Sequence, residues 1–238
     1  MTITSPTNRH LTEIRKLARA AARSRSGRFI AEGEDLNEAA HAARITPLYV
    51  LAAQGDSRAH ARGWLEVEPA LLGSVSALAS GSRVIGVYEQ RWAAPVGPLA
   101  LALWGVGDPG NVGTVIRAAH AFGAACVALG PRCADPYGPK AVRASMGAIF
   151  AVTIARFEAV SQLPGIVVAL DAGAPEALRG PAESELTLLI GPERGGLPME
   201  ALAGCDELRS IAQVAGDSLN AAMAATIALY EVTRMAAG

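Results

Sequence analysis

The stretch IGPERGGLP, residues 190–198, follows the apolar run Leu186-Thr187-Leu188-Leu189 and carries three glycines, two prolines and the adjacent charges of Glu193 and Arg194. Glycine lets backbone approach a ligand closely or take positive φ, and proline stiffens what glycine loosens. Such a loop suits gripping a small molecule through main-chain groups. An ordinary tight turn at Gly191 and Gly195 is the plain alternative. A second stretch, GVGDPGNVG (105–113), contains G-x-G-x-x-G at Gly105, Gly107 and Gly110, after one strand and before a helix. That is the setting a dinucleotide requires, and Arg132 beyond the next strand suits a 2′-phosphate. Against it stand Asp108 and Pro109, where the chain should already be helical, and the lack of an acid closing the second strand. No P-loop pattern is present. The four scattered histidines assemble no Ser/His/Asp set. In DSLNAAMAATIALYE, Asn220 lies among alanines, and its burial is costly unless it is paired. Capping accounts for Asp217 or Ser218 but not for an inward-pointing Asn220.

The elements that would carry these stretches are legible from hydrophobic pattern. A basic amphipathic helix opens the chain, with Leu11, Ile14, Leu17 and Ala21 on one face. Short strands follow at Phe29–Glu32, Pro47–Leu51, Trp64–Val67 and Arg83–Tyr88, with a helix near Glu34–Ala43. EQRWAAPVGP (89–98) mixes charge, proline and glycine without period and reads as a linker. Beyond it come LALALW, AACVAL, IFAVTI, GIVVAL, ELTLLI and LRSIA as apolar strands. The helices NVGTVIRAAHAFG, PKAVRASMG, a stretch near 158–162 and a long closing helix from Asp217 are interleaved with them. Apolar strands alternating with helices imply an α/β fold with a mostly parallel sheet covered on both faces.

The chain has 238 residues, 51% of them hydrophobic, enough for one large domain or two small ones. No apolar run is long enough to span a bilayer, and the start lacks the apolar core of a secretory signal. Its arginine-rich, acid-poor composition can mimic a transit peptide, though Leu11, Ile14, Leu17 and Ala21 fit an ordinary amphipathic helix. Cys126, Cys133 and Cys205 are odd in number and lack metal-ligand spacing, which fits a reducing cytoplasm and no metal. Net charge is −1, yet residues 1–28 hold Arg9, Arg15, Lys16, Arg19, Arg23, Arg25 and Arg28 against Glu13 alone. A concentrated basic start suits a polyanion such as RNA, or simply a solvated helix face.

Three segments in order, DPGNVGTVIRAAHAFGA (108–124), LLIGPERGGLP (188–198) and AQVAGDSLNAAMAATIALYE (212–231), resemble the motifs of the SpoU/TrmH family of RNA ribose 2′-O-methyltransferases. These belong to the SPOUT class, and the resemblance covers residues 99–235. FIAEGEDLNEAA resembles the small substrate-binding domain that precedes the catalytic domain in many members. The third motif departs from the family pattern: Ile211-Ala212 lacks the usual proline, and the loop to Ser218 is one residue shorter.

The resemblance implies an RNA-binding domain at 1–95 and a methyltransferase domain at 96–238 with a C-terminal trefoil knot. It implies S-adenosylmethionine as donor, structured RNA (ribosomal or transfer) as substrate, and a homodimer burying the closing helix. Gly191 would let main chain meet the adenosine, Ile211 and Leu219 would complete an apolar slot whose backbone groups read the adenine, and Leu170 and Ser218 would add contacts to the donor. Arg117 would hold the target phosphate and polarise the 2′-hydroxyl, since a guanidine base is costly at a pKa above about 12. Glu193 would orient Asn111 or Arg117, and Asn220 would join them in one network. A non-catalytic RNA-binding or assembly protein on the same fold is the competing reading, with a nicotinamide-dependent oxidoreductase behind it.

Overall fold

The computed structural model describes residues 2–77, 81–215 and 219–234. The chain divides into two compact units, residues 1–90 with 137–150, and residues 91–136 with 151–238.

The first unit opens with α1 (Arg9–Leu17), whose first free N–H groups include that of His10, accepted by the Asn8 side chain. Leu11, Ile14 and Leu17 are its buried face. The single basic helix expected from the sequence is in fact two, because α2 (Ala20–Ser26) starts afresh after a break at Ala18–Arg19. Arg23 explains the break. It is 5% exposed, and its guanidinium donates to the carbonyls of Leu17 and Ala18 at 2.8 and 3.0 Å, satisfying the end of α1. Ala21, expected on the apolar face, is exposed.

There follow β1 (Arg28–Glu32), α3 (Glu34–Ala42), β2 (Tyr49–Ala53), α4 (Ser57–Arg62), β3 (Leu65–Val67), α5 (Pro69–Gly73) and β4 (Val84–Glu89). The sheet order is β1-β4-β2-β3, with β4 antiparallel to both neighbours and β2 parallel to β3. Leu11, Ile14 and Leu17 pack with Ile30, Leu51, Val67, Leu72, Ile85 and Val87 to form the core.

The second unit holds β5 (Trp92–Ala93), β6 (Leu99–Leu103), α6 (Pro109–Ala121) and β7 (Cys126–Leu129). After α7 (Pro139–Ala144), which belongs to the first unit, it continues with β8 (Thr153–Arg156), β9 (Ile166–Leu170), β10 (Leu186–Ile190), α8 (Met199–Leu202), β11 (Glu207–Arg209) and α9 (Ala221–Thr233). The seven strands run in the order β11-β9-β10-β6-β7-β8-β5, and every neighbouring pair is parallel. A largely parallel α/β sheet is what the alternating pattern required.

Four sequence expectations change. The segment 89–98 is not wholly a linker, because Trp92 and Ala93 pair with Ile154 and Ala155, and the Arg156 guanidinium lies 3.7 Å from the Trp92 ring centroid. IFAVTI is extended only from Thr153. Ala148–Phe150 form a 3-10 turn that carries Phe150 against Tyr88, centroids 4.9 Å apart, while Tyr137 meets Phe29 at 4.8 Å. That aromatic cluster is why residues 137–150 fold with the first unit. The last strand is Glu207–Arg209 rather than one through Ala212, with Ser210 making only a bridge to Ala177. The closing helix begins at Ala221, not at Asp217, which lies outside the described residues.

Candidate functional site

Strand register sets the site. Ile190 is level with both Leu103 and Leu170, and Leu170 with Arg209, so β6, β9, β10 and β11 end in one row. The loops leaving a parallel sheet at that edge converge, which is where open α/β sheets bind ligands. Trp104 N–H continues the ladder to the Ile190 carbonyl at 2.9 Å, and Gly105 takes φ +69°. A Cβ on Gly105 would stand 3.6 Å from the Pro192 ring, so the first glycine loop lies against the second.

Asp108 and Pro109, which argued against a dinucleotide turn, are the start of α6. Asp108 is the N-cap, its Oδ1 accepting from Gly110 and Asn111 N–H at 2.6 and 3.1 Å, and Pro109 occupies the first helical position. This cap fixes the first turn from which Asn111 projects. Asn111 Nδ2 donates to Glu193 Oε1 in a short contact, and Asn111 Oδ1 accepts from Asn220 Nδ2 at 3.1 Å. Asn220 is itself an N-cap. Its Oδ1 accepts from the N–H groups of Ala222 and Met223 at 2.9 and 3.3 Å, so the sequence argument against a capping role is overturned. One side chain caps α9 with its oxygen and reaches α6 with its nitrogen.

Beside this network is a cavity of about 380 Å³ bordered by Leu170, Gly191, Glu193, Ile211 and Leu219. Ile190, Ala221 and Ala224 add apolar wall, and Asp171, Gln213 and the 195–196 glycines add polar groups. A side chain at Gly191 would be crowded, because a Cβ there would lie 3.0 Å from both Leu197 N and Leu197 Cγ. Gly191, with no side chain, itself lines the cavity.

The structure thus brings Asn111, Glu193 and Asn220 together, and gathers Leu170, Gly191, Ile211 and Leu219 around one cavity. Ser218 lies outside the described residues. Arg117 does not join the network. It is exposed on the outer side of α6 in line with Thr114 and His120, and no hydrogen bond or ion pair holds it among the described residues. Asp171 and Gln213 were missed. The signal available for Asp171 was a carboxylate directly after an apolar strand, at the same sheet edge as Gly191.

Residues 98–230 match the SpoU rRNA Methylase family. The chain belongs to that family. It is similar to an AdoMet-bound rRNA methyltransferase from Sinorhizobium meliloti, with a TM-score of 0.85 and 32% identity over 98% of this chain and 97% of that one. It is also similar to the SpoU methyltransferase AviRb from Streptomyces viridochromogenes in complex with AdoMet. There the TM-score is 0.82 and the identity 25%, over 95% and 97% of the two chains. Among curated relatives, a 23S rRNA (uridine-2′-O)-methyltransferase from Streptomyces viridochromogenes is 37% identical over 141 residues, 53% of this chain and 49% of that protein. An uncharacterized tRNA/rRNA methyltransferase from Mycobacterium tuberculosis is 33% identical over 68% of this chain and 55% of that protein. The alignments therefore span about half the length of these two curated relatives. Family membership replaces the oxidoreductase reading of the first glycine loop.

Proposed function

We propose that the chain transfers a methyl group from S-adenosylmethionine to a ribose 2′-hydroxyl of structured RNA, with ribosomal RNA as the first candidate. The observation that carries this reading is the cavity lined by Gly191, adjoining the Glu193–Asn111–Asn220 network. Its walls fit such a donor: apolar side chains at Leu170, Ile211 and Leu219 for the adenine, and carboxylates for the cationic part.

When bound, the donor supplies an electrophilic methyl group. The protein's task is to place the hydroxyl oxygen in line and to manage its proton. Arg117, exposed and without a partner among the described residues, engages the target phosphate and polarises the hydroxyl. Glu193 and Asn220 hold Asn111 rigid at the entrance. The phosphate next to the target hydroxyl assists in removing the proton.

The first unit, with its basic helices, recognises RNA, and the protein works in the cytoplasm. The second unit carries the trefoil knot typical of the class. Two copies associate through α9, where Met223, Ile227 and Tyr230, at i, i+4 and i+7, are 62, 42 and 60% exposed. Sedimentation of Ile227→Glu should give a monomer, against a dimer for the wild type.

Calorimetry with S-adenosylmethionine and S-adenosylhomocysteine tests the donor site. One site per chain is expected, and silence for both ligands from a folded sample contradicts the reading.

A further inference from the structure

The cavity is charged in one sense. Its lining residues include two carboxylates, Asp171 and Glu193, and among the described lining residues no lysine or arginine. Glu193 is engaged through Oε1 by Asn111. Asp171 is held differently. Its Oδ1 accepts the Gly173 N–H at 2.7 Å, and its own N–H donates to the Arg209 carbonyl at 3.0 Å, so the carboxylate is fixed at the end of β9. Oδ2 lies 4.0 Å from the place a Cβ on Gly196 would occupy, and therefore faces the glycine turn bordering the cavity. No hydrogen bond or ion pair engages Oδ2 among the described residues. The Arg209 guanidinium does not neutralise it, being paired with Glu176 and Glu207 at 2.8 and 2.9 Å.

A fixed, unpaired carboxylate beside a partly apolar cavity favours a cation. The donor and product of methyl transfer differ in that respect. S-Adenosylmethionine carries a sulfonium, an ammonium and a carboxylate, hence one net positive charge; loss of the methyl turns the sulfonium into a neutral thioether, and the product has no net charge.

We propose that Asp171 selects the methyl donor over its demethylated product by charge, so that transfer itself loosens the cavity's hold on what remains. This rests on the donor reading given above. Asp171 is a specificity residue on this account, whereas Gly191 and Ile211 hold the adenosine that both ligands share.

The test is calorimetry of wild type and Asp171→Asn with S-adenosylmethionine and S-adenosylhomocysteine, at two ionic strengths. Asparagine keeps an acceptor for the Gly173 N–H and removes only the charge. Affinity for the donor should fall on the order of 3–10-fold and for the product by less than about 2-fold, as for a charge pair near a protein surface. The wild-type preference for the donor should shrink with added salt, and that of the variant should not. Asp171→Glu should keep the preference if asparagine fails to fold. An equal loss for both ligands, or no loss for either, overturns the proposal. Wild-type protein that binds neither ligand instead overturns the donor reading beneath it.

Discussion

Asn220 donates to Asn111 at 3.1 Å across 109 positions of sequence, joining the cap of α9 to the first turn of α6. With Glu193 accepting from the other side of the same amide, every polar atom of the Asn111 side chain is directed. A side chain held on both sides loses little further freedom when substrate arrives, which is how a site achieves pre-organisation.

Replacing Asn111 should therefore cost activity before it costs the fold. Asn111→Ala should lower methyl transfer on the order of 100-fold and stability by about 1–2 kcal/mol, the cost of leaving Glu193 and Asn220 without a partner. Asn111→Asp should be worse, because it sets a second carboxylate against Glu193. Like charges raise one carboxyl's pKa, so this variant should regain stability as pH falls through the acid range. Thermal melts at several pH values, beside single-turnover assays, check both statements.

Arg117 should behave in the opposite way. It is exposed and has no partner among the described residues, so Arg117→Ala should leave stability within about 0.5 kcal/mol. Transfer should fall roughly 30-fold to several thousand-fold, as for loss of a bidentate phosphate clamp. Arg117→Lys should rescue little, because an ammonium cannot reproduce the planar fork. A variant retaining more than about a tenth of the wild-type rate would assign the role to another residue.

The basic start divides into two kinds of cation. Arg23 is buried as the cap of α1, and Arg23→Ala should cost about 1–3 kcal/mol by leaving two carbonyls unsatisfied. Lys16 and Arg25 are exposed, and each alanine variant should leave stability unchanged. Each should flatten the slope of log affinity for RNA against log salt by about one. Denaturant melts and RNA titrations separate the groups.

The first unit also contains an acid-sensitive cap. Asp56 accepts from Arg58 N–H at 3.0 Å and pairs with the Arg58 guanidinium at 2.6 Å, which draws its pKa down to about 2 from an ordinary 3.8. A lowered folded-state pKa gives stability that is present above the unfolded value and lost as pH falls. Asp56 should thus contribute on the order of 1–2 kcal/mol at neutral pH, disappearing between about pH 4 and 2. Asp56→Asn should flatten the stability profile in that window alone.

Much of this was legible in the sequence, and the boundary follows from physics. Apolar strands such as LALAL and LTLLI declare a doubly covered parallel sheet, because burial on both faces removes any alternation. Glu193 in its glycine-rich loop and Asn220 among alanines stand out from their settings, whereas Asn111 enters only through the resemblance to the family's first motif. Their partners do not: no local spacing tells that Asn220 both caps α9 and reaches α6. Arg23 looked like one more surface cation, since its place under α1 depends on a chain break that helical periodicity does not reveal. Phe150 read as part of a strand because its apolarity serves a cluster with Phe29 and Tyr88, distant in sequence. Asp171 was passed over because the resemblance directed attention to Leu170 beside it.

The central claim is methyl transfer to a ribose hydroxyl, and alkali distinguishes that product from base methylation. A 2′-O-methyl group removes the nucleophile that hydroxide uses to cleave the adjacent phosphodiester. Purified protein, methyl-labelled S-adenosylmethionine and ribosomal RNA should therefore yield label in alkali-stable dinucleotides after hydrolysis. Arg117→Ala should leave those dinucleotides unlabelled. Label recovered in mononucleotides, or none from wild-type protein that binds the donor, would contradict the account.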